Sequence, residues 1–268
     1  MRYWITVLSL LVLLCTGDTP LLRPSHDQIA LSLDAIAEQL YLLDENGAVA
    51  DSITLEGIPY GASCGRLPDR NGQFYFSVPT PGAENEGGYR MISEQPTASV
   101  APGVYRDVAS LTVSFFSEGD IYYTTNGNTP TEGAMRYTGP ITIQKTTVLR
   151  ACAVSAGRMM SRPVTLNYFL NVEHTLPIIA VATDNANLYN SRIGILADGN
   201  LFDRTLVCPA NVSFFSDEGS FCAECGLKLH GAGSRGRLAK KSFKVVFRSK
   251  YGTAPLIFPL FEGNDTTW

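Results

Sequence analysis

Every apolar run in this chain is short and closes on a turn residue. QLYLLD leads into Asn46-Gly47, VADSITL into Gly57 and Pro59, and DIYYTTN into Gly127, while YTGPITI is itself broken at Gly139-Pro140. Asn-Gly between apolar runs signals a tight hairpin, because both central residues of such a turn need positive φ. Proline cannot donate to a ladder and is kept out of central strands. Regular short strands separated by such turns predict a mainly β fold of tandem small β-sandwich (immunoglobulin-like) modules. At 268 residues, with 24 Gly, 15 Pro and 45% hydrophobic content, the chain has room for two or three small globular domains.

Its formal charge of −4 argues against a protein that coats nucleic acid. That average hides a segregated stretch. Gly226 to Gly252 holds eight cations and no Asp or Glu. Within it Gly231, Gly233 and Gly236 lie among Ser234, Arg235 and Arg237, where backbone N–H groups can approach an anion without Cβ obstruction. KSFKVVF follows, with Phe243, Val245 and Phe247 alternating against Lys244, Val246 and Arg248, which predicts a strand carrying cations on one face. A glycine-bearing turn before a lysine-bearing strand suits a phosphate; a solvated basic face is the alternative. GAGSRG is neither a Walker loop nor the usual kinase Gly-rich loop.

Arg2 precedes an apolar run, Tyr3 to Cys15, whose only polar members are Thr6 and Ser9. Such a run matches a signal-peptide core and falls short of the roughly 20 residues of a membrane span. Cys15-Thr16-Gly17 offers cleavage before Asp18, so residues 1–24 are expected to be a signal peptide or a misassigned start. The alternative is a buried strand of the first domain. Export places the protein outside the cytoplasm, secreted or at the cell surface, with no further transmembrane span.

The remaining cysteines, Cys64, Cys152, Cys208, Cys222 and Cys225, are odd in number and make no disulfide framework. Cys222-Ala-Glu-Cys225 has the spacing of a zinc half-site, with Cys208 and His230 as further ligands on paper. A second such pair is missing, so buried thiols or one local disulfide are expected and no metal. Asp44-Glu45 and Asp217-Glu218 adjoin turns and read as solvated, giving no support to glycoside hydrolysis. Asn211-Val-Ser and Asn264-Asp-Thr fit the N-glycosylation pattern.

Three resemblances order the chain. YYTTNGNTPT (Tyr122 to Thr131), followed by YTGPITI and TTVLRACAV, resembles the C-terminal sandwich of chitobiases and β-hexosaminidases, departing at Asn126 where that family usually has Asp. The resemblance implies an accessory, noncatalytic module over 96–170 in an extracytoplasmic, often polysaccharide-related protein. This segment also contains no His. LYLLDENGAVADSITL, SCGRLPD and FSVPTPGAEN are similar to the last half of a lamin-tail-type β-sandwich of bacterial surface proteins, over 25–86, with 87–95 a polar linker.

HTLPIIAVATDNANLYN, NVSFFSDEG, GLKLHGAGSR and KKSFKVVFRSKYG, within 171–268, resemble the opening part of the spore-coat CotH family, atypical kinases of protein-kinase-like fold. That resemblance implies a partial α+β kinase-like N-lobe with Arg235, Lys240, Lys241 and Lys244 near nucleotide phosphates, Lys241 being the phosphate-pairing lysine. Phosphoryl transfer also needs a catalytic Asp and ligands for Mg²⁺, and no HRD-like or DFG-like string occurs before Trp268. The expectation is therefore a fragment without catalytic residues of its own, using ATP and Mg²⁺ only in a completed kinase domain. IIAVA and LIFPLF would then lack part of the surface they were built to meet.

The function expected is an exported bacterial surface protein that binds or displays, with a cell-surface protein or polysaccharide as partner. The alternatives are an active CotH-like protein kinase whose catalytic lobe lies outside this chain, and a carbohydrate-binding accessory module.

Overall fold

A computed structural model of the chain describes residues 11–13, 39–43, 46–54, 57–67, 70–80, 83–173, 176–252 and 256–260. Arg2, Cys15, Asp18, Asp44, Glu45 and Asn264, singled out above, lie outside the described residues. The first elements are β1 (Leu11–Leu13), β2 (Gln39–Leu43) and β3 (Val49–Thr54), an antiparallel sheet in that order, with Gly47 at φ +81° in the turn before β3. Three residues of the N-terminal apolar run are thus paired with Leu43, Leu42 and Tyr41. β4 (Ser63–Leu67) and β5 (Arg70–Phe76) form a hairpin that buries Phe74 and Phe76.

The polar stretch read as a linker is bonded on both sides. Tyr89 and Tyr75 exchange backbone hydrogen bonds at 2.9 and 2.8 Å, and Ser93 N donates to Met159 O at 2.8 Å. Its backbone takes up ladder partners around Tyr89, Met91 and Ile92, the apolar residues within an otherwise polar stretch.

Next come β6 (Thr97–Ala98), β7 (Gly103–Tyr105), β8 (Leu111–Val113), β9 (Phe115–Phe116), β10 (Asp120–Thr124), β11 (Met135–Arg136), β12 (Ile141–Ile143), β13 (Thr147–Val154) and β14 (Val164–Leu170). β11-β10-β13-β14-β7 make a five-stranded sheet, and the ladders β12-β8 and β6-β9 complete a sandwich. Its core holds Val113, Phe115, Ile121, Ile143, Leu149, Ala151 and Tyr168. The alternation of β13 works as expected on the inner face, where Leu149, Ala151 and Ala153 are fully buried. Its other face, however, is buried as well, at Arg150 and Cys152.

The C-terminal region explains that second burial. β15 (Ile178–Ala182), α1 (Asn185–Tyr189), β16 (Cys208–Ser216), β17 (Gly219–His230), α2 (Ser234–Arg237) and β18 (Ser242–Val246) follow, with 3₁₀ turns at Asp198–Asn200 and Ser249–Tyr251. The four strands form one antiparallel sheet in chain order. Because strand residues alternate between faces, Asn211, Ser213, Phe215, Cys222 and Glu224 share one face. That face meets the outer side of β14: Asn167 Nδ2 donates to Ser213 Oγ at 2.9 Å, Cys222 Sγ to Thr165 O at 3.4 Å, and Phe169 packs edge-on to Phe215.

The opposite face carries Ala210, Val212, Ala223, Cys225 and Leu227 against Ile195 and Leu256. Three β layers are therefore stacked, and the fold is mainly β. Helix in the described residues amounts to the two short segments α1 and α2 and the 3₁₀ turns. Ile179 and Val181 of the IIAVA string, and Ile257 of LIFPLF, remain 65%, 47% and 76% exposed.

Candidate functional site

The basic segment sits where β17 runs out. Gly231, at φ +85°, turns the chain into α2, and β18 returns it to the sheet. Arg235 does not face solvent. Its Nε donates to Gly231 O at 2.7 Å, Nη1 to Leu201 O at 3.3 Å and Asp203 O at 3.1 Å, and Nη2 to Leu229 O at 2.6 Å. The guanidinium thus satisfies the carbonyls of a turn, a strand and a loop that side-chain burial alone would leave unpaired. Lys241 Nζ donates to Arg235 O at 2.6 Å, so these two candidates are joined. Lys240 and Lys244 are exposed, and Lys244 lies directly across from Lys228 in the β17–β18 ladder. Of the four phosphate candidates, then, two are tied into the backbone and two present ammonium groups to water.

The sandwich loop Asn126-Gly-Asn-Thr129 has partners of its own. Asn126 Oδ1 accepts from Asn128 N at 3.0 Å, an Asx turn that closes the loop on itself. Arg150, buried beneath it, donates to Gly127 O at 3.0 Å, to Thr129 Oγ1 at 3.1 Å and to Thr165 Oγ1 at 3.1 Å, and lies 3.5 Å from Asp184 Oδ1. Asp184 also accepts from Thr129 N, and Asn185 N donates to Asn128 Oδ1. The loop is a joint between the sandwich and the start of the C-terminal region.

A cleft of about 360 Å³ opens beside this joint, lined among others by Gln95, Arg162, Thr165, Asn211, Cys222 and Glu224. Glu224 Oε1 accepts from Asn211 Nδ2 at 2.9 Å. Burial pushes the Glu224 carboxyl above its ordinary range, against the opposing pull of Asn211, Arg150 and Arg162. Burial likewise pulls the Arg162 guanidinium down. Arg162 Nε and Nη2 both donate to Ile58 O, at 3.0 and 2.6 Å, which anchors the turn before β4 to the cleft.

The Cys222-x-x-Cys225 pair is split by strand geometry, since residues three apart point to opposite faces. Cys222 is exposed, Cys225 is buried, and all five described cysteines are free thiols. Among the described residues no group of three His, Cys, Asp or Glu side chains is placed to hold a metal ion, and no helix is long and apolar enough to cross a membrane. Asn211 of the first glycosylation pattern is 2% exposed in the seam between the sheets, out of reach of a modifying enzyme in the folded chain.

Residues 100–165 match the chitobiase/beta-hexosaminidase C-terminal domain. The match spans the sandwich from the residue before Ala101 into β14 and leaves the sheets on either side outside it. No curated protein matches the chain, and no solved structure does.

Of the cleft residues attached to this chitobiase-type sandwich, Asn211 and Cys222 carry motifs read above for other chemistry, whereas Arg162, Thr165 and Glu224 are ones that sequence reasoning passed over. Thr165 and Asn167 stand in a run otherwise read as apolar, and Asn211 and Ser213 alternate with Val212 and Phe214. Polar residues at every second position of an apolar strand mark a face packed against something polar, and that was the available signal.

Proposed function

We propose that the chain is an exported accessory protein of the cell surface that binds or displays, with the chitobiase-type sandwich as its carbohydrate-associated module. The match over 100–165 carries this reading. It is supported by the way the sandwich is held: its outer face and its Asn126–Thr129 loop are fixed to the C-terminal sheet, giving a rigid block suited to presenting a surface. The measurement is retention of the full chain on a panel of insoluble polysaccharides and an array of glycans. Saturable retention on at least one polysaccharide is expected, and silence across both panels overturns the reading.

The flanking regions take the finer parts of the proposal, a lamin-tail-like partial sandwich before the chitobiase-type domain and an incomplete CotH-like nucleotide lobe after it. The second is favoured by one observation, the Gly231 turn leading through α2 to a lysine fixed on the carbonyl of Arg235. With two of four cations already bonded to backbone, ATP binding should be weak and salt-sensitive, since exposed charges are screened within about 8–10 Å at physiological ionic strength. Titration calorimetry should show it reduced further by Lys241→Ala. Tight binding untouched by that change counts against a nucleotide lobe, whereas transfer of labelled phosphate from ATP would favour an active kinase over a display protein.

A further inference from the structure

The cleft between β14 and β17 holds a carboxylate and a guanidinium that face a common space without meeting. Glu224 Oε1 is occupied by Asn211, and no described donor reaches Oε2. Arg162 spends Nε and Nη2 on Ile58 O, and no described acceptor reaches Nη1. The two side chains form no ion pair with each other. Gly252 explains the gap: a Cβ there would stand 2.9 Å from Arg162 Nη1 and 3.2 Å from Glu224 Cβ. Its φ of +130° also belongs to glycine. Any larger residue would close the space between the charges.

Arg162 also lines a second hollow of about 270 Å³, with Tyr60 and Lys250 at its wall. Tyr60 stacks on Tyr251 with centroids 5.6 Å apart and planes 18° from parallel, yet is 55% exposed. One ring face is thus backed by Tyr251, which fixes its orientation, and the rest is open to solvent beside Arg162.

We propose that these two hollows form one saccharide subsite, in which Glu224 and Arg162 bind adjacent hydroxyls of a neutral sugar unit and Tyr60 covers an apolar face of the next unit. This deepens the carbohydrate reading above and rests on it. The chemistry selects the ligand. A hydroxyl both donates and accepts, so neighbouring hydroxyls satisfy an acceptor and a donor held apart across a small gap. In the inner cleft one anion and one cation leave no net charge for an ionic ligand to neutralise, and the further cation, Lys250, stands in the wall of the outer hollow. The inner cleft, about 360 Å³, lies at the small end of the roughly 300–1,000 Å³ of ligand pockets, which suits a single ring. An amphipathic ring such as tyrosine offers a flat apolar face with a polar edge.

The test titrates chito-, cello-, xylo- and manno-oligosaccharides into the full chain and into Glu224→Gln and Tyr60→Ala. The first change keeps shape and the Asn211 contact, and the second lies at an exposed position. Losing a hydrogen bond to a charged group should weaken binding about tenfold or more, and removing the stacking face should do the same. Binding by the parent chain that both variants retain overturns the cleft assignment and leaves the carbohydrate reading standing. No binding by the parent chain to any of the four series overturns the subsite, and silence on the wider polysaccharide panel overturns the reading as well. Should a variant misfold, hydrogen exchange on the parent chain decides: saturating oligosaccharide should protect Cys222 to Gly226 and residues 57–62, and protection confined elsewhere counts against the proposal.

Discussion

Asn167 and Ser213 meet in the buried seam between the two larger sheets, Asn167 Nδ2 donating to Ser213 Oγ at 2.9 Å with the two residues 6% and 0% exposed. The bond is the first of a chain. Ser213 Oγ donates to Asn211 Oδ1, which also accepts from Cys222 Sγ, and Asn211 Nδ2 donates to Glu224 Oε1. A buried polar network holds two elements in one register because every alternative leaves groups unpaired.

Ser213→Ala should therefore cost more than the loss of one ordinary hydroxyl. It strips Asn167 of its acceptor in a buried seam, worth about 1–3 kcal/mol. A double-mutant cycle of Ser213→Ala with Asn167→Ala should show coupling of about 0.5–3 kcal/mol. Denaturant unfolding followed by fluorescence and circular dichroism checks it, and strictly additive single changes would show that the seam does not couple the sheets.

Arg150 and Asp184 should differ sharply although they are neighbours. Arg150 is 4% exposed and serves Gly127 O, Thr129 and Thr165. Arg150→Ala leaves those groups without a donor and should lower stability by about 3 kcal/mol. Asp184 is 38% exposed at a separation of 3.5 Å, so Asp184→Asn should cost less than about 1 kcal/mol. Thermal melts of both variants rank them, and equal losses would mean that the ion pair itself fastens the joint.

Glu224 and Asp51 should give stability opposite dependences on pH. Burial raises the Glu224 carboxyl, so the folded chain holds that proton more tightly than the unfolded one. Its contribution is full below the ordinary carboxylate value and is lost as pH rises through the folded value. Glu224→Gln should consequently gain on the parent chain as pH goes from acid to neutral. Asp51 is held below its ordinary value by Arg66, so its contribution is present above that value and lost as pH falls. Both partners are exposed and salt should flatten this second slope. Denaturation at a series of pH values tests both, and parallel curves for the parent and Glu224→Gln would remove Glu224 from the account.

In the basic segment Arg235 is structural and Lys244 is not. Arg235→Ala would leave carbonyls of Gly231, Leu229, Leu201 and Asp203 without their donor and should cost about 3 kcal/mol. Lys244 faces Lys228 across the ladder, and like charges directly opposite repel, so Lys244→Glu should raise stability by about 0.2–1 kcal/mol. A thermal shift in the other direction would show that repulsion across this pair does not limit stability.

Strand positions and the sandwich were legible because their causes are local. The chain turns at Gly47, which takes the positive φ expected of it, and Leu149, Ala151 and Ala153 point inward as their alternation demands. Burial of Arg150 on the opposite face was not legible, since it depends on Asp184 and on a sheet folded from residues far along the chain. The engagement of Arg235 was hidden for the same reason. A cation in a glycine-rich stretch reads as an anion ligand until the carbonyls of Leu201 and Asp203, more than 30 residues earlier, are brought against it. Glu224 and Arg162 share a cleft only because Gly252 lets the chain pass between them.

The cysteines give the last prediction, which follows from strand parity. Cys222 lies on the polar face and is exposed, whereas Cys152, Cys208 and Cys225 are buried. Burial raises the Cys152 and Cys225 thiols to about 12 and Cys208 to about 11. The thiolate is the reactive form, so at about pH 8 these three should be nearly inert in the folded chain. Iodoacetamide on the native protein, read by peptide mass spectrometry, should label Cys222 first and label Cys152, Cys208 and Cys225 only after denaturant is added. Equal native labelling of Cys222 and Cys225 would place both thiols on one side of β17, which would undo the register that carries Glu224 to the cleft.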